Sequence, residues 1–245
     1  MSQMSQMSQQ VSSQQVSHQI TVSSTRGEDR SKLGRGQANG IGILLLDDHP
    51  ELCGPSMPFD RNAEIYGEGE PADYVYKLVS GAVRTYRVLS DGRRQIGAFY
   101  LPGDVFGLEL GADHSSSAEA IVDSKVVLVR RNTLLNVSQR SSDVARELLA
   151  ITAQELRRAQ DHTLLLIKSA QERVAAFLLE MAQRRSNSLA VELPMSRQDI
   201  ADYLGLTIET VSRTLTQLKD DATIQLLASR RIALRNREAL SELNG

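Results

Sequence analysis

The sequence predicts an α+β chain: an antiparallel β-roll, then one long helix, then a small helical unit closed by a β-hairpin. Three observations predict it. Short β-favouring runs broken by Gly occupy residues 59–129, a stretch at 142–168 free of Pro and Gly carries apolar side chains at spacings of four and three, and a helix–turn–helix pattern at 195–215 precedes two more short runs. The 245 residues suffice for two modest domains, at ~100–200 residues each. Boundaries are expected at 1–40 (a disordered tail), 41–140 (the roll), 141–168 (the long helix) and 169–245 (the helical unit).

Residues 1–40 open with Met-Ser-Gln three times and stay rich in Ser and Gln. A segment with so few large apolar side chains buries too little surface to offset its ordering entropy, so disorder is expected. The roll begins with residues 74–79, which should stop at Ser80-Gly81. Residues 82–89 then alternate apolar side chains with Arg84 and Arg87, up to a turn at Ser90-Asp91-Gly92, and residues 95–101 follow, closed by Pro102-Gly103-Asp104. Ile121-Val122 and residues 126–129 supply two more short strands, a pattern suited to an antiparallel barrel or roll.

Along the long helix, Ala145, Leu149, Thr152, Leu156, Ala159, Thr163 and Leu166 fall on one narrow stripe. That is the a/d seam of a coiled coil, and its small Ala and Thr members suit close approach of two identical helices. A homodimer is expected. The other reading is an amphipathic helix lying on its own core. A second helix over residues 170–185 should bury Val174, Phe177, Leu178 and Met181.

Ser196 followed three residues later by Asp199 is a capping-box start. Ile200 and Leu204 face inward, Ala201 is small where a second helix must cross, and Gly205 takes the turn. Thr207 is the expected N-cap of the next helix, which buries Val211, Leu215 and Leu218 and presents Ile208, Glu209, Ser212 and Arg213 outward. The N-terminal end of such a helix is what a recognition helix offers to base edges in the major groove: Arg fits the two acceptors of guanine, Glu accepts from a cytosine amine, and Ser suits either kind of partner. Residues 223–227 and 231–234 can pair across residues 228–230 as a wing carrying Arg230, Arg231 and Arg235. The whole is a winged helix-turn-helix, with double-stranded DNA as expected partner. Glu209, Ser212 and Arg213 are the candidate base contacts. Ser196, Arg197, Thr207, Arg230 and Arg231 are placed at helix starts or at the DNA backbone.

Bulk charge gives this no help. The net charge is −2, and residues 169–245 hold ten Lys/Arg against ten Asp/Glu, so DNA affinity must come from local placement. The longest apolar run, residues 41–46, is far short of the ~20 residues that span a bilayer. With no leader-like patch and a single cysteine, Cys53, a reducing cytoplasm is the expected setting. No nucleophile–base pair and no Gly-rich phosphate loop is visible, so enzymatic activity is not expected. His18, His49, His114 and His162 are too scattered for a metal site, and surface or hydrogen-bonded roles are expected for them.

Residues 193–218, with Glu172-Arg173-Val174-Ala175-Ala176-Phe177 before them and Leu101-Pro102-Gly103-Asp104-Val105-Phe106-Gly107 in the roll, resemble the cyclic-AMP receptor and fumarate–nitrate regulator family, FixK branch in particular. The resemblance runs from about residue 59 to the end. It implies an eight-stranded cyclic-nucleotide-binding-type roll, a dimer helix and base contacts at Glu209, Ser212 and Arg213, with a TTGAT half-site and its repeat ATCAA. The cyclic-AMP branch carries Arg where Ile208 stands here. The resemblance also implies that the loop around Asp91, Gly92 and Arg93 touches RNA polymerase, and that the regulator activates microoxic or nitrogen-fixation genes.

The signal-binding residues of the relatives are missing. An oxygen-sensing cluster needs several cysteines, and Cys53 stands alone. The nucleotide-binding branch uses a Glu after the roll Gly and an Arg-Ser pair, and the corresponding positions here are Leu108 and Ser116-Ser117. A buried phosphate would lack its charge-assisted partner, so no cofactor is expected. The alternative is a regulator gated by an unidentified small molecule in the roll, which must bind two DNA-binding arrangements unequally to matter.

Overall fold

The computed structural model describes residues 49–184 and 190–244, so the expected tail at 1–40 lies outside the described residues. A single 3-10 turn, Pro50–Leu52, leads into the roll: β1 (Ser56–Phe59), β2 (Glu64–Tyr66), β3 (Tyr74–Val88), β4 (Arg94–Tyr100), β5 (Val105–Phe106) and β6 (Ser117–Arg130). All pairings are antiparallel, in the order β1-β6-β3-β4, with β2 also on β6 and β5 on β3.

Two expectations for the strands are corrected here. Ser80-Gly81 does not end a strand, because β3 runs through it for 15 residues, and β6 likewise joins the two short runs expected at 121–129. The break in pattern marks a bulge, where the β3–β6 register shifts between Leu78 and Val83. Gly81 sits at φ +92°, and a Cβ there would come within 2.6 Å of the Asp123 carbonyl oxygen. The neighbouring Ser124 hydroxyl accepts from the Ala82 N–H at 3.1 Å and donates to the Val122 carbonyl at 2.6 Å, so the strand bends with its polar groups satisfied. Each long strand therefore supplies two segments of the curled sheet, which reconciles six strands among the described residues with the eight that the resemblance implies.

Helices follow: α1 (Arg131–Arg140), α2 (Ser142–Leu165) and α3 (Ala170–Arg184). The Ser141 side chain caps α2 by accepting from the Val144 N–H at 3.4 Å. Leu166, the last residue of the expected seam, is the C-cap rather than part of the helix. Beyond residue 189 come β7 (Ala190–Glu192), α4 (Arg197–Leu204), α5 (Ile208–Asp220), β8 (Ile224–Ala228), β9 (Arg231–Leu234) and α6 (Arg237–Asn244), with β7-β9-β8 as a second sheet. This is the α+β architecture of a cyclic-nucleotide-binding-type roll, a long helix and a winged helix-turn-helix.

Three cores hold it. Tyr66, Tyr76, Leu78, Tyr100 and Phe106 cluster within the roll. Leu52, Val75, Val105 and Val129 pack with Val144 and Ile151 of α2. The third core is shared: Ile96, Phe99 and Leu101 of the roll join α3, α4, α5 and the wing. Asp104, in the turn before β5, accepts from the Leu101 N–H at 2.7 Å and pairs with Arg158 of α2 at 3.1 Å and with Arg184 of α3.

Candidate nucleic-acid interface

The capping box forms as expected. Ser196 Oγ accepts from the Asp199 N–H at 3.1 Å and Asp199 Oδ2 from the Ser196 N–H at 2.9 Å, which starts α4. Gly205 ends it at φ +62°, a left-handed conformation that costs glycine little. Thr207 Oγ1 accepts from the Thr210 N–H at 3.2 Å and starts α5. Val211, Leu215 and Leu218 are buried beneath α5, as expected, and Thr214 joins them.

The opposite face is open. Ile208, Glu209 and Arg213 are exposed and Ser212 is half-buried. Arg197 donates to Ser212 Oγ at 3.3 Å, which ties the first helix to the reading face of the second. Arg213 lies 3.5 Å from the Thr210 hydroxyl, a weak hold that leaves its guanidinium available. The backbone N–H of Glu209 and the Thr207 hydroxyl lower the Glu209 carboxyl from its usual range, so it stays ionised and acts as an acceptor.

The wing turns on Ser229-Arg230 alone, because Ala228 pairs with Arg231; the strand starts at Ile224 and includes Ala228, one residue later at each end than expected. Arg230 is half-buried and donates to the Pro194 carbonyl at 3.1 Å, whereas Arg231 is exposed. Arg235 is exposed but held by the Gln225 side chain. A cleft of about 220 Å³ separates wing from helices, floored by Ile200 and Leu215 and rimmed by Arg197 and Arg230.

On α2 every expected seam position (Ala145, Leu149, Thr152, Leu156, Ala159, Thr163) and the adjoining Leu166 is exposed, Leu149 by 68% and Leu156 by 59%. The helix packs onto its own chain through a different face, Val144, Ile151 and Leu165. The seam threonines need no partner, since Thr152 donates to the Leu148 carbonyl at 2.8 Å and Thr163 to the Ala159 carbonyl at 2.9 Å.

The loop Asp91-Gly92-Arg93 projects as a β3–β4 hairpin tip. Asp91 accepts from the Arg93 N–H at 3.0 Å and its side chain at 2.7 Å, bonds that lower the Asp91 carboxyl.

Inside the roll, aromatic rings stack. Tyr66 lies on His114 with centroids 3.6 Å apart, Tyr66 on Tyr76 at 5.1 Å, and Phe106 on Tyr76 and Tyr100 at 5.2 and 5.0 Å. Gly107, at φ +75°, lets the chain pass this stack, because a Cβ would meet the Tyr76 ring at 2.7 Å. His114 corrects the expectation of a surface or hydrogen-bonded role. It is 2% exposed, both ring nitrogens lack a hydrogen-bond partner, and Glu109 stands at 3.9 Å. Burial lowers its pKa from the ordinary 6.5, keeping it neutral. His162 does meet the expectation: it hydrogen-bonds to the Tyr203 carbonyl at 2.7 Å. The Cys53 thiol is exposed. Among the described residues no group of three or more His, Cys, Asp or Glu could hold a metal, and no helix is long and apolar enough to cross a membrane.

One cluster escaped sequence reading. Arg84 is 7% exposed and donates to Glu119 and to Asp199, both at 2.7 Å. Arg94 also reaches Asp199 at 2.7 Å, and Asp202 at 2.9 Å.

Comparison with known proteins fits this geometry. Residues 172–243 match the Crp-like helix-turn-helix domain and residues 57–141 the cyclic nucleotide-binding domain. The chain is 50% identical over 220 residues to the nitrogen fixation regulation protein FixK of Azorhizobium caulinodans, covering 87% of this chain and 88% of that one. The chain belongs to the cyclic-AMP receptor and fumarate–nitrate regulator family. This family member is also 48% identical to FixK of Rhizobium meliloti, across 78% of its own length and 89% of the relative's. The solved structure of FixK2 from Bradyrhizobium japonicum matches it at 55% identity and TM-score 0.75, covering 78% of this chain and 97% of that one. The family and the helix-turn-helix make it a DNA-binding transcription regulator.

Proposed function

We propose that this regulator is a homodimeric activator that reads a TTGAT/ATCAA-type palindrome with no bound cofactor. The observation that carries the reading is the outward pair Glu209 and Arg213 in the first turns of α5, four residues apart and free to face one half-site. The exposed α2 stripe supports the dimer, since each leucine buried there would contribute roughly 1.5–3 kcal/mol. The stacked rings of Tyr66, Tyr76, Phe106 and His114 support cofactor independence, because they fill the roll with side chains of its own. The names of the FixK relatives favour nitrogen-fixation genes as targets, and the family resemblance adds microoxic genes as the broader class. Asp91, Gly92 and Arg93 are the proposed contact with RNA polymerase.

The test is binding by protein purified in air without additives. Tight binding to a TTGAT/ATCAA duplex over a scrambled one is expected. Binding that appears only after a metabolite extract is added would move the regulator to the ligand-gated class.

A further inference from the structure

We infer that Arg94, working with Arg84, is a spacing-determining residue: through Asp199 and Asp202 it fixes the rotation of the DNA-reading helices on the roll, and so the half-site separation a dimer accepts. The inference rests on the dimeric, palindrome-reading function proposed above.

Two kinds of contact join the roll to α3 and α4. Phe99 of β4 packs against Tyr203 and Phe177, with ring centroids at 5.1 and 6.1 Å. Ring contact of this kind resists separation but fixes orientation less tightly than hydrogen bonds do. The polar contacts are directional. Arg84 of β3 and Arg94 of β4 both donate to the same oxygen of Asp199 at 2.7 Å, and Arg94 turns its Nε to Asp202 one helical turn on, at 2.9 Å. Charge-assisted bonds from two strands to positions i and i+3 of one helix leave that helix one orientation. Asp199 is itself 3% exposed and is the capping carboxylate of α4, so the clamp grips the start of the helix that carries α5.

The consequence is geometric. A dimer joined along α2 presents two α5 helices whose separation must match half-sites about one DNA turn apart. A base-pair step is about 3.4 Å and about a tenth of a helical turn, so the reading units must both shift and turn on the roll to admit the neighbouring spacing. Arg84 and Arg94 belong to the roll and are not among the proposed base contacts, so the choice of base is expected to survive their loss.

Two measurements on the full chain test this. The first compares operators whose half-site spacer is lengthened or shortened by one base pair. Wild type should prefer one spacer sharply; Arg94→Gln should lose about fivefold or more of that preference while still choosing TTGAT over altered half-sites. Arg94→Lys keeps a charged donor beside Asp199 and Asp202 and should retain part of the preference. Arg87→Gln removes an exposed arginine that pairs with Glu68 and should leave it unchanged. The second places spin labels at Val88 and Gln217 in a Cys53→Ser background. Their distance distribution should be narrow in the wild-type clamp and broad in Arg94→Gln. Unchanged spacer preference, or an unchanged distance distribution in Arg94→Gln, overturns the inference. If wild type favours no palindrome but the labels still broaden, the clamp stands and the proposed operator is wrong.

Discussion

Arg84 and Asp199, 115 residues apart in the chain, meet at 2.7 Å in a pair from which water is almost excluded. Asp199 thus serves twice, as the capping carboxylate of α4 and as the anchor of two roll arginines. Removing it takes one of the two carboxylates that buried Arg84 holds and leaves Glu119 as the other.

Asp199→Ala should therefore destabilise the protein by about 1.5–3 kcal/mol beyond the lost cap, the usual worth of a hydrogen bond to a charged group, because Arg84 keeps Glu119 and Arg94 keeps Asp202. A lost cap alone costs typically ~1 kcal/mol, so urea unfolding separates the two accounts. A loss near the cap value alone would mean that Glu119 and Asp202 satisfy the two arginines without Asp199.

The same pair shows where sequence reading stops. The helix-turn-helix was legible because its grammar is local: Ser196 with Asp199, Gly205 and Thr207 act on neighbours within four residues. The α2 stripe was legible for the same reason. The burial of Arg84 was not legible, because strand alternation assigns a face but not what covers it, and its cover lies in a later helix. Ser80-Gly81 reads identically as a turn or a bulge until β6 is alongside. His114 sits in a loop without periodicity, so nothing in its neighbours announced the Tyr66 stack.

Leu156 is 59% exposed on the protomer. Leu156→Asp should leave protomer stability within about 0.5 kcal/mol but set two carboxylates against each other across the seam. Sedimentation should show a monomer and operator binding should fall. A variant that stays dimeric would remove α2 from the interface.

Burial lowers both His114 and His162 below the ordinary 6.5. The unfolded chain then binds the extra protons, so their contribution to stability is complete above 6.5 and is lost as pH falls from there towards the folded values. Glu109, Glu70 and Arg131 face His114 and bear on its titration. Urea unfolding between about pH 7.5 and 5.5 should give a slope that His114→Phe flattens. An equal slope in the variant would exclude His114 as a source.

Asp91→Ala and Arg93→Ala should leave operator affinity unchanged, because their bonds are confined to the hairpin tip. Transcription in vitro should drop. Full transcription from both variants would dismiss the polymerase contact.

The central claim is that α5 reads sequence through Arg213, and operators altered singly at the guanine of TTGAT test it most directly. A good bidentate contact discriminates by about 1–3 kcal/mol, so Arg213→Ala should bind all four bases there with nearly equal affinity while keeping its salt-sensitive, non-specific binding. The exposed wing residue Arg231 makes the comparison: Arg231→Ala should weaken every operator alike and flatten the salt dependence. If Arg213→Ala still rejects the other three bases as strongly as wild type, Arg213 does not read that guanine.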